Sequence, residues 1–126
     1  MPLDKKFTVS LQTALVKSTS TSRKTLDPLQ VSVPSLLLET SNTFGVANDN
    51  TPVSIPFGGI TIAKVVQLIS DEEVTVKFNG DTTGITFGGE DDGGVLEIIG
   101  ASISSMTVQN NGADEATFAF YLAGAE

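Results

Sequence analysis

The sequence predicts an all-β protein, an antiparallel β-sandwich or jelly roll of about eight or nine short strands with an N-terminal arm. Three observations lead there. Apolar and polar residues alternate at period two in one segment after another. The segments are short and are separated by Gly, Asn and Asp turn signals. Gly, Thr, Ser and Val stand where helix formers would have to be. At 126 residues and 40% hydrophobic composition, one compact domain with a real core is expected.

Taken in order, Phe7, Val9 and Leu11 alternate with Thr8, Ser10 and Gln12 and read as a strand. Residues 17–24, KSTSTSRK, are polar and of low complexity and read as a linker. Alternation resumes at Leu29, Val31 and Val33. Pro34 lacks a backbone donor and places this segment at an edge or a bend. Residues 40–52, TSNTFGVANDNTP, are rich in turn formers and read as a long loop. Residues 60–70, ITIAKVVQLIS, form the most apolar stretch, and its β-branched residues favour a strand. After Asp71-Glu72-Glu73 turns the chain, Val74, Val76 and Phe78 alternate with Thr75, Lys77 and Asn79. Asn79-Gly80 is a strong hairpin signal, because a type I′ turn needs positive φ at both central residues. Ile85 and Phe87 continue beyond it, and GGEDDGG (88–94) turns again. Three more strands are expected at 95–99, 102–109 and 115–123, the last two joined by the hairpin chemistry of Asn110-Asn111-Gly112. In the final strand Phe118, Phe120 and Leu122 line one face, with Thr117, Ala119 and Tyr121 on the other.

Charge divides the chain in two. Residues 1–26 hold Lys5, Lys6, Lys17, Arg23 and Lys24 against Asp4, a balance of +4. Residues 27–126 hold Lys64 and Lys77 against fourteen acids, a balance of −12, and together these give the net −8. The expected division is therefore a basic arm or edge strand with a Ser/Thr linker over 1–26, and an acidic sandwich over 27–126. An acidic body repels nucleic acid. A basic arm on it suits an acidic neighbour, a second copy included. Lys5, Lys6, Arg23 and Lys24 on charge, with Phe7 beside the first two, are the candidate interaction residues. No apolar run reaches membrane-spanning length, and Ala14-Leu15-Val16 is too short for the core of a secretory signal.

The sequence has no cysteine and no histidine. Thiolate metal sites and Ser–His or Cys–His nucleophile pairs are thereby excluded. Asp81, in Asp81-Thr82-Thr83-Gly84, invites comparison with the aspartate loop of a dimeric aspartic protease. That chemistry needs two carboxylates sharing a proton, each held in an apolar scaffold. Here the aspartate follows Asn79-Gly80 at a hairpin tip, and a second threonine displaces the glycine. It reads as a turn residue. The acid clusters at 71–73 and 90–92 contain oxygen ligands of the kind calcium takes, without the spacing of a known calcium loop. They read as solvated turn acids that discourage edge-to-edge pairing. No helix follows the glycine pairs, so they are not phosphate cradles. Phe44 and Phe57 read as loop residues, either an exposed patch or caps on the sandwich ends. A two-carboxylate glycosidase would need acids facing one another across a cleft, whereas these lie mostly in turns. The reading is of no enzyme, no cofactor and no metal.

Four segments carry a resemblance: VTVKFNG (74–80), GVLEIIG (94–100), SISSMTVQNNG (102–112) and ATFAFYLAG (116–124). In this order the chain from Ile60 onward resembles small β-sandwich virion proteins of tailed bacteriophages, either head decoration (cement) proteins or tail and connector accessories. The likeness covers about half the chain and rests on strand rhythm. It implies a structural role in the virion, assembled in the host cytoplasm, with the major capsid protein or another virion protein as partner. The basic arm on an acidic body separately suggests a homo-oligomer, a trimer being one form. Nucleic acid and membrane are not expected partners. A receptor- or glycan-binding sandwich is the alternative class.

Overall fold

The structure, a computed structural model, describes residues 38–89 and 93–126 in full and, ahead of them, the backbone of the strand segments up to residue 37. Strands follow one another as β1 (Lys5–Val9), β2 (Gln12–Val16), β3 (Thr21–Thr25), β4 (Leu29–Val33), β5 (Leu37–Val46), β6 (Val53–Ser54), β7 (Ile62–Ser70), β8 (Val74–Phe78), β9 (Ile85–Phe87), β10 (Gly94–Ile103), β11 (Met106–Asn110) and β12 (Ala116–Ala125). No helix occurs among the described residues.

Eight of the strands build two four-stranded antiparallel sheets, ordered β10-β7-β12-β5 and β6-β11-β8-β9. The pairings are nested. β8 pairs with β9, β7 with β10, β6 with β11 and β5 with β12. Lateral pairing of β12 with β7 and of β11 with β8 closes each sheet. A long antiparallel hairpin wrapped into two sheets in this way is a jelly roll. Ahead of it, β1 pairs with β4 and β2 with β3 in two-stranded ribbons that share no sheet with the sandwich. Thr21–Thr25, which overlaps the 17–24 stretch whose composition suggests a linker, is thus a strand of the second ribbon.

The core lies between the two sheets. Period-two burial along β12 turns Phe118, Phe120 and Leu122 inward. They meet Val66 and Leu68 of β7, Val74 and Val76 of β8, and Met106 and Val108 of β11. Ile55, Ile60 and Ile103 close the margins.

Three sequence expectations need correction. Residues 40–46 are not loop; they complete β5, which runs in unbroken register along β12 from Leu37↔Ala125 to Val46↔Ala116. The central strand β12 needs a partner on this side for its backbone groups, and that requirement outweighs the turn-forming composition. Phe44 accordingly points inward, its ring edge-on to Phe118 at 5.6 Å and to Phe120 at 6.1 Å. Next, residues 102–109 are not one strand. The chain bends at Ser104-Ser105 and passes from β10 in one sheet to β11 in the other. Finally, Asn110-Asn111-Gly112 does not join a hairpin, because β11 and β12 belong to different sheets. Asn110 holds this crossing in place. Fully buried, it accepts the Gly112 N–H at 2.8 Å and donates to the carbonyls of Val46 (2.9 Å) and Asp114 (2.7 Å).

Asn79-Gly80 forms the expected turn, with φ of 56° and 76° and the Asp81 N–H donated to the Phe78 carbonyl at 2.9 Å. The Asn79 side chain also reaches the bend between β10 and β11. Its Oδ1 accepts the Ser104 N–H at 2.7 Å and its Nδ2 donates to the Ser102 carbonyl at 3.2 Å. Asn79 and Asn110 therefore fasten opposite ends of the β8–β11 pair.

Candidate interaction face

The outer faces of the two sheets differ in chemistry. On the second sheet the outward side chains are polar and bonded to one another. Thr75 and Thr86 hydroxyls lie 2.8 Å apart, Asn111 donates to Thr75 at 2.6 Å, and Thr107, Gln109 and Lys77 complete the surface. On the first sheet the register aligns Thr43, Ala119, Ile69 and Val95 in one outward row across β5, β12, β7 and β10. Ile69 is 54% exposed and Val95 66%. Isolated exposed apolar residues are ordinary, but paired neighbours on one sheet face invite a partner.

Shape follows from side-chain size. Ala119 is short and lies between Thr117 and Tyr121, so the surface dips along β12. Two shallow depressions, of about 300 and 540 Å³, share Ala119 and Ile69. The first continues between Thr43, Ser41, Gln67 and Tyr121, the second between Thr117, Asp71, Gly93 and Val95. Carboxylates border the face. Gln67 donates to Glu97 at 3.3 Å, and Asp71 Oδ1 accepts the Thr117 N–H at 2.7 Å. Burial and then the neighbouring Glu39 carboxylate, which accepts its hydrogen bond, push the Tyr121 hydroxyl above its ordinary value of 10.0.

Lys5, Lys6 and Phe7 fall on β1 and Arg23 and Lys24 on β3, and their side chains lie outside the described residues. The same holds for Glu90, Asp91 and Asp92. Asp81 is exposed at the hairpin exit. Phe44 and Phe57 both pack against the core, so they form no exposed aromatic patch. Among the described residues no three acids converge in a way that would hold a metal ion.

No protein-family model matches this chain, and no curated protein or solved structure matches it at a significant level.

Ile69 and Val95 were not singled out from sequence. Both lie in apolar runs, 60–70 and 95–99, where outward and inward positions look alike. The period-two parity set by Leu68 and Leu96 on the core side is the signal that finds them.

Proposed function

We propose that the chain is a non-enzymatic virion structural protein, a capsid decoration protein that stabilises the head by bridging capsid subunits. The observation that carries this reading is the eight-stranded jelly roll with one polar outer face and one outer face that bears the exposed apolar pair Ile69 and Val95. Jelly rolls recur in capsid and lectin domains, and a face of this kind adds buried contact between neighbours. The basic N-terminal segment ahead of an acidic body supports the same role, since opposite charge steers and registers an assembling pair. The strand rhythm shared with phage decoration proteins agrees with it. The partner is the major capsid protein, and the chain joins the particle in the host cytoplasm.

Quantitative mass spectrometry of density-purified particles tests the proposal. A decoration protein is present at a copy number comparable to that of the major capsid protein. A few copies per particle would move the chain to the tail or connector, and its absence from particles would refute the virion role.

A further inference from the structure

Asn-Gly occurs twice in the chain, at Asn79-Gly80 and at Asn111-Gly112. Glycine sets no side chain beside its own backbone nitrogen, so in this dipeptide that nitrogen can attack the Cγ of the preceding carboxamide. The N–Cγ bond forms, the backbone amide proton and the carboxamide nitrogen leave together as ammonia, and a succinimide ring remains. Water then adds to one of the ring carbonyls and opens it to aspartate or isoaspartate. Water is the only co-reactant.

The fold treats the two sites differently. At Asn111 the nucleophile is held. The Gly112 N–H donates to Asn110 Oδ1 at 2.8 Å, and Asn110 is fully buried and fixed by its bonds to the Val46 and Asp114 carbonyls. Freeing the Gly112 nitrogen would leave a buried acceptor without a partner, which is costly. The Asn111 carboxamide is occupied as well, donating to the Thr75 hydroxyl at 2.6 Å and accepting from Gln109 at 3.4 Å. At Asn79 the nucleophile is free. The Asn79 N–H bonds the Ser105 carbonyl and the Asp81 N–H bonds the Phe78 carbonyl, each at 2.9 Å, but the Gly80 N–H between them has no acceptor among the described residues. Asn79 and Gly80 are both exposed, and a Cβ built at Gly80 would meet nothing within 4 Å. The tip therefore has room for the ring and for the extra backbone methylene of isoaspartate. Only the carboxamide is restrained. Its Oδ1 accepts the Ser104 N–H at 2.7 Å and the Ser104 hydroxyl at 3.0 Å, and its Nδ2 donates to the Ser102 carbonyl at 3.2 Å. All of these bonds are exposed, so water can take the place of a released partner.

We infer that Asn79 is a site of spontaneous deamidation in the folded protein, opened by release of its carboxamide from the Ser102–Ser104 bend, while Asn110 protects Asn111. The same contacts fix the consequence. Either product carries a carboxylate in place of the amide and no longer donates to the Ser102 carbonyl, and isoaspartate also lengthens the backbone inside a tight turn. Conversion therefore loosens β8 from the bend between β10 and β11. The inference concerns the chemistry of the chain itself and stands apart from the virion role.

Full-length protein is incubated in mildly alkaline buffer, folded and in parallel unfolded in urea. Peptide mass mapping then follows each site, with fragmentation to separate aspartate from isoaspartate. In urea both sites should convert at comparable rates. In the folded protein Asn79 should convert measurably, and Asn111 about tenfold more slowly or less, the factor set by stranding a buried acceptor. A net hydrogen bond amounts to about a fivefold factor in an opening equilibrium. Ser104→Ala, which takes the hydroxyl from Oδ1, should therefore speed conversion at Asn79 about that much and leave Asn111 unchanged. Circular dichroism checks that the variant keeps the fold. Folded-state conversion at Asn111 as fast as at Asn79 would overturn the inference. So would an Asn79 that stays intact long after the unfolded sample is complete, or a Ser104→Ala protein that converts no faster.

Discussion

Replacing Asn110 should cost the sandwich a large share of its stability. Its side chain is fully buried and makes three hydrogen bonds, to Gly112 N–H, Val46 O and Asp114 O. Asn110→Ala removes all three and leaves one donor and two acceptors short of a partner. A net hydrogen bond contributes about 1 kcal/mol, and a buried group left unsatisfied costs about 1–3. Allowing for water entering the vacated space, the loss should be about 2–4 kcal/mol, against about 5–15 for a domain of this kind. That corresponds to a fall in Tm on the order of 10 °C. Asn110→Asp is the sharper probe. It keeps the acceptor for Gly112 but sets a carboxylate oxygen against two carbonyl oxygens. It should be less stable than Asn110→Ala at neutral pH. The repulsion raises the variant's folded-state carboxyl pKa above its unfolded value of about 3.9. The sign is then fixed: relative stability is greatest below the unfolded pKa and is lost as pH rises through the folded one. Urea titrations followed by far-ultraviolet circular dichroism, across pH, measure both variants. An Asn110→Ala loss under about 0.5 kcal/mol, the range of an ordinary surface change, would refute the reasoning. An Asn110→Asp protein as stable as Asn110→Ala at neutral pH would also refute it.

Tyr121 is the single tyrosine and there is no tryptophan, so its ionisation is read directly by ultraviolet absorbance. The midpoint should lie above 10.0 and fall in Glu39→Gln, which removes the charge and the ionic hydrogen bond. Because the folded value is raised, this contribution to stability is present below about pH 10 and lost as pH climbs through the folded midpoint. Asn79→Ala loses both the positive-φ residue of the turn and the tie to Ser102 and Ser104. A loss of about 1–3 kcal/mol is expected, with Asn79→Gly recovering the backbone part of it in the same urea titration. A Cβ at Gly124 would collide with the Ile62 carbonyl oxygen, where the β12–β7 register shifts. Gly124→Ala should therefore destabilise by about 1–3 kcal/mol or more, and an unchanged thermal midpoint would show that the two strands separate freely there.

Much of the sandwich could be read in the sequence because the central strands are periodic. The inward set Phe118, Phe120 and Leu122 was apparent from alternation alone, as was the Asn79-Gly80 turn. β5 was not, for a physical reason. It is an edge strand whose outward positions, Glu39, Ser41, Thr43 and Gly45, face solvent, and two of its inward positions, Thr40 and Asn42, are polar. Its strand character comes from the ladder with β12, a partner some eighty residues away in the chain. Asn110 misled for the opposite reason. An asparagine-rich reversal has the same local chemistry whether it returns a strand to its own sheet or delivers it to the facing one. The open face stayed hidden because exposure in an apolar run depends on which side the other sheet covers.

The nested pairing also governs the order in which the chain can close. β8 and β9 bring together Val74 and Phe87, thirteen positions apart, whereas β5 and β12 join Leu37 and Ala125, eighty-eight apart. Closing those loops from an open chain costs about 2.3 and about 4 kcal/mol in entropy. Once an inner pair exists, the next pair outward closes only the short connections beside it. Folding is therefore expected to proceed from the Asn79-Gly80 tip toward the termini, each ladder serving as the template for the next. Mutational φ-values high in β8 and low at the ends of β12 would mark this course, and the reverse pattern would exclude it. On this course the chain reaches a topology of long-range contacts, the slow kind, through a series of short closures, and the β5–β12 seam, whose ends are farthest apart in the chain, is expected to set last.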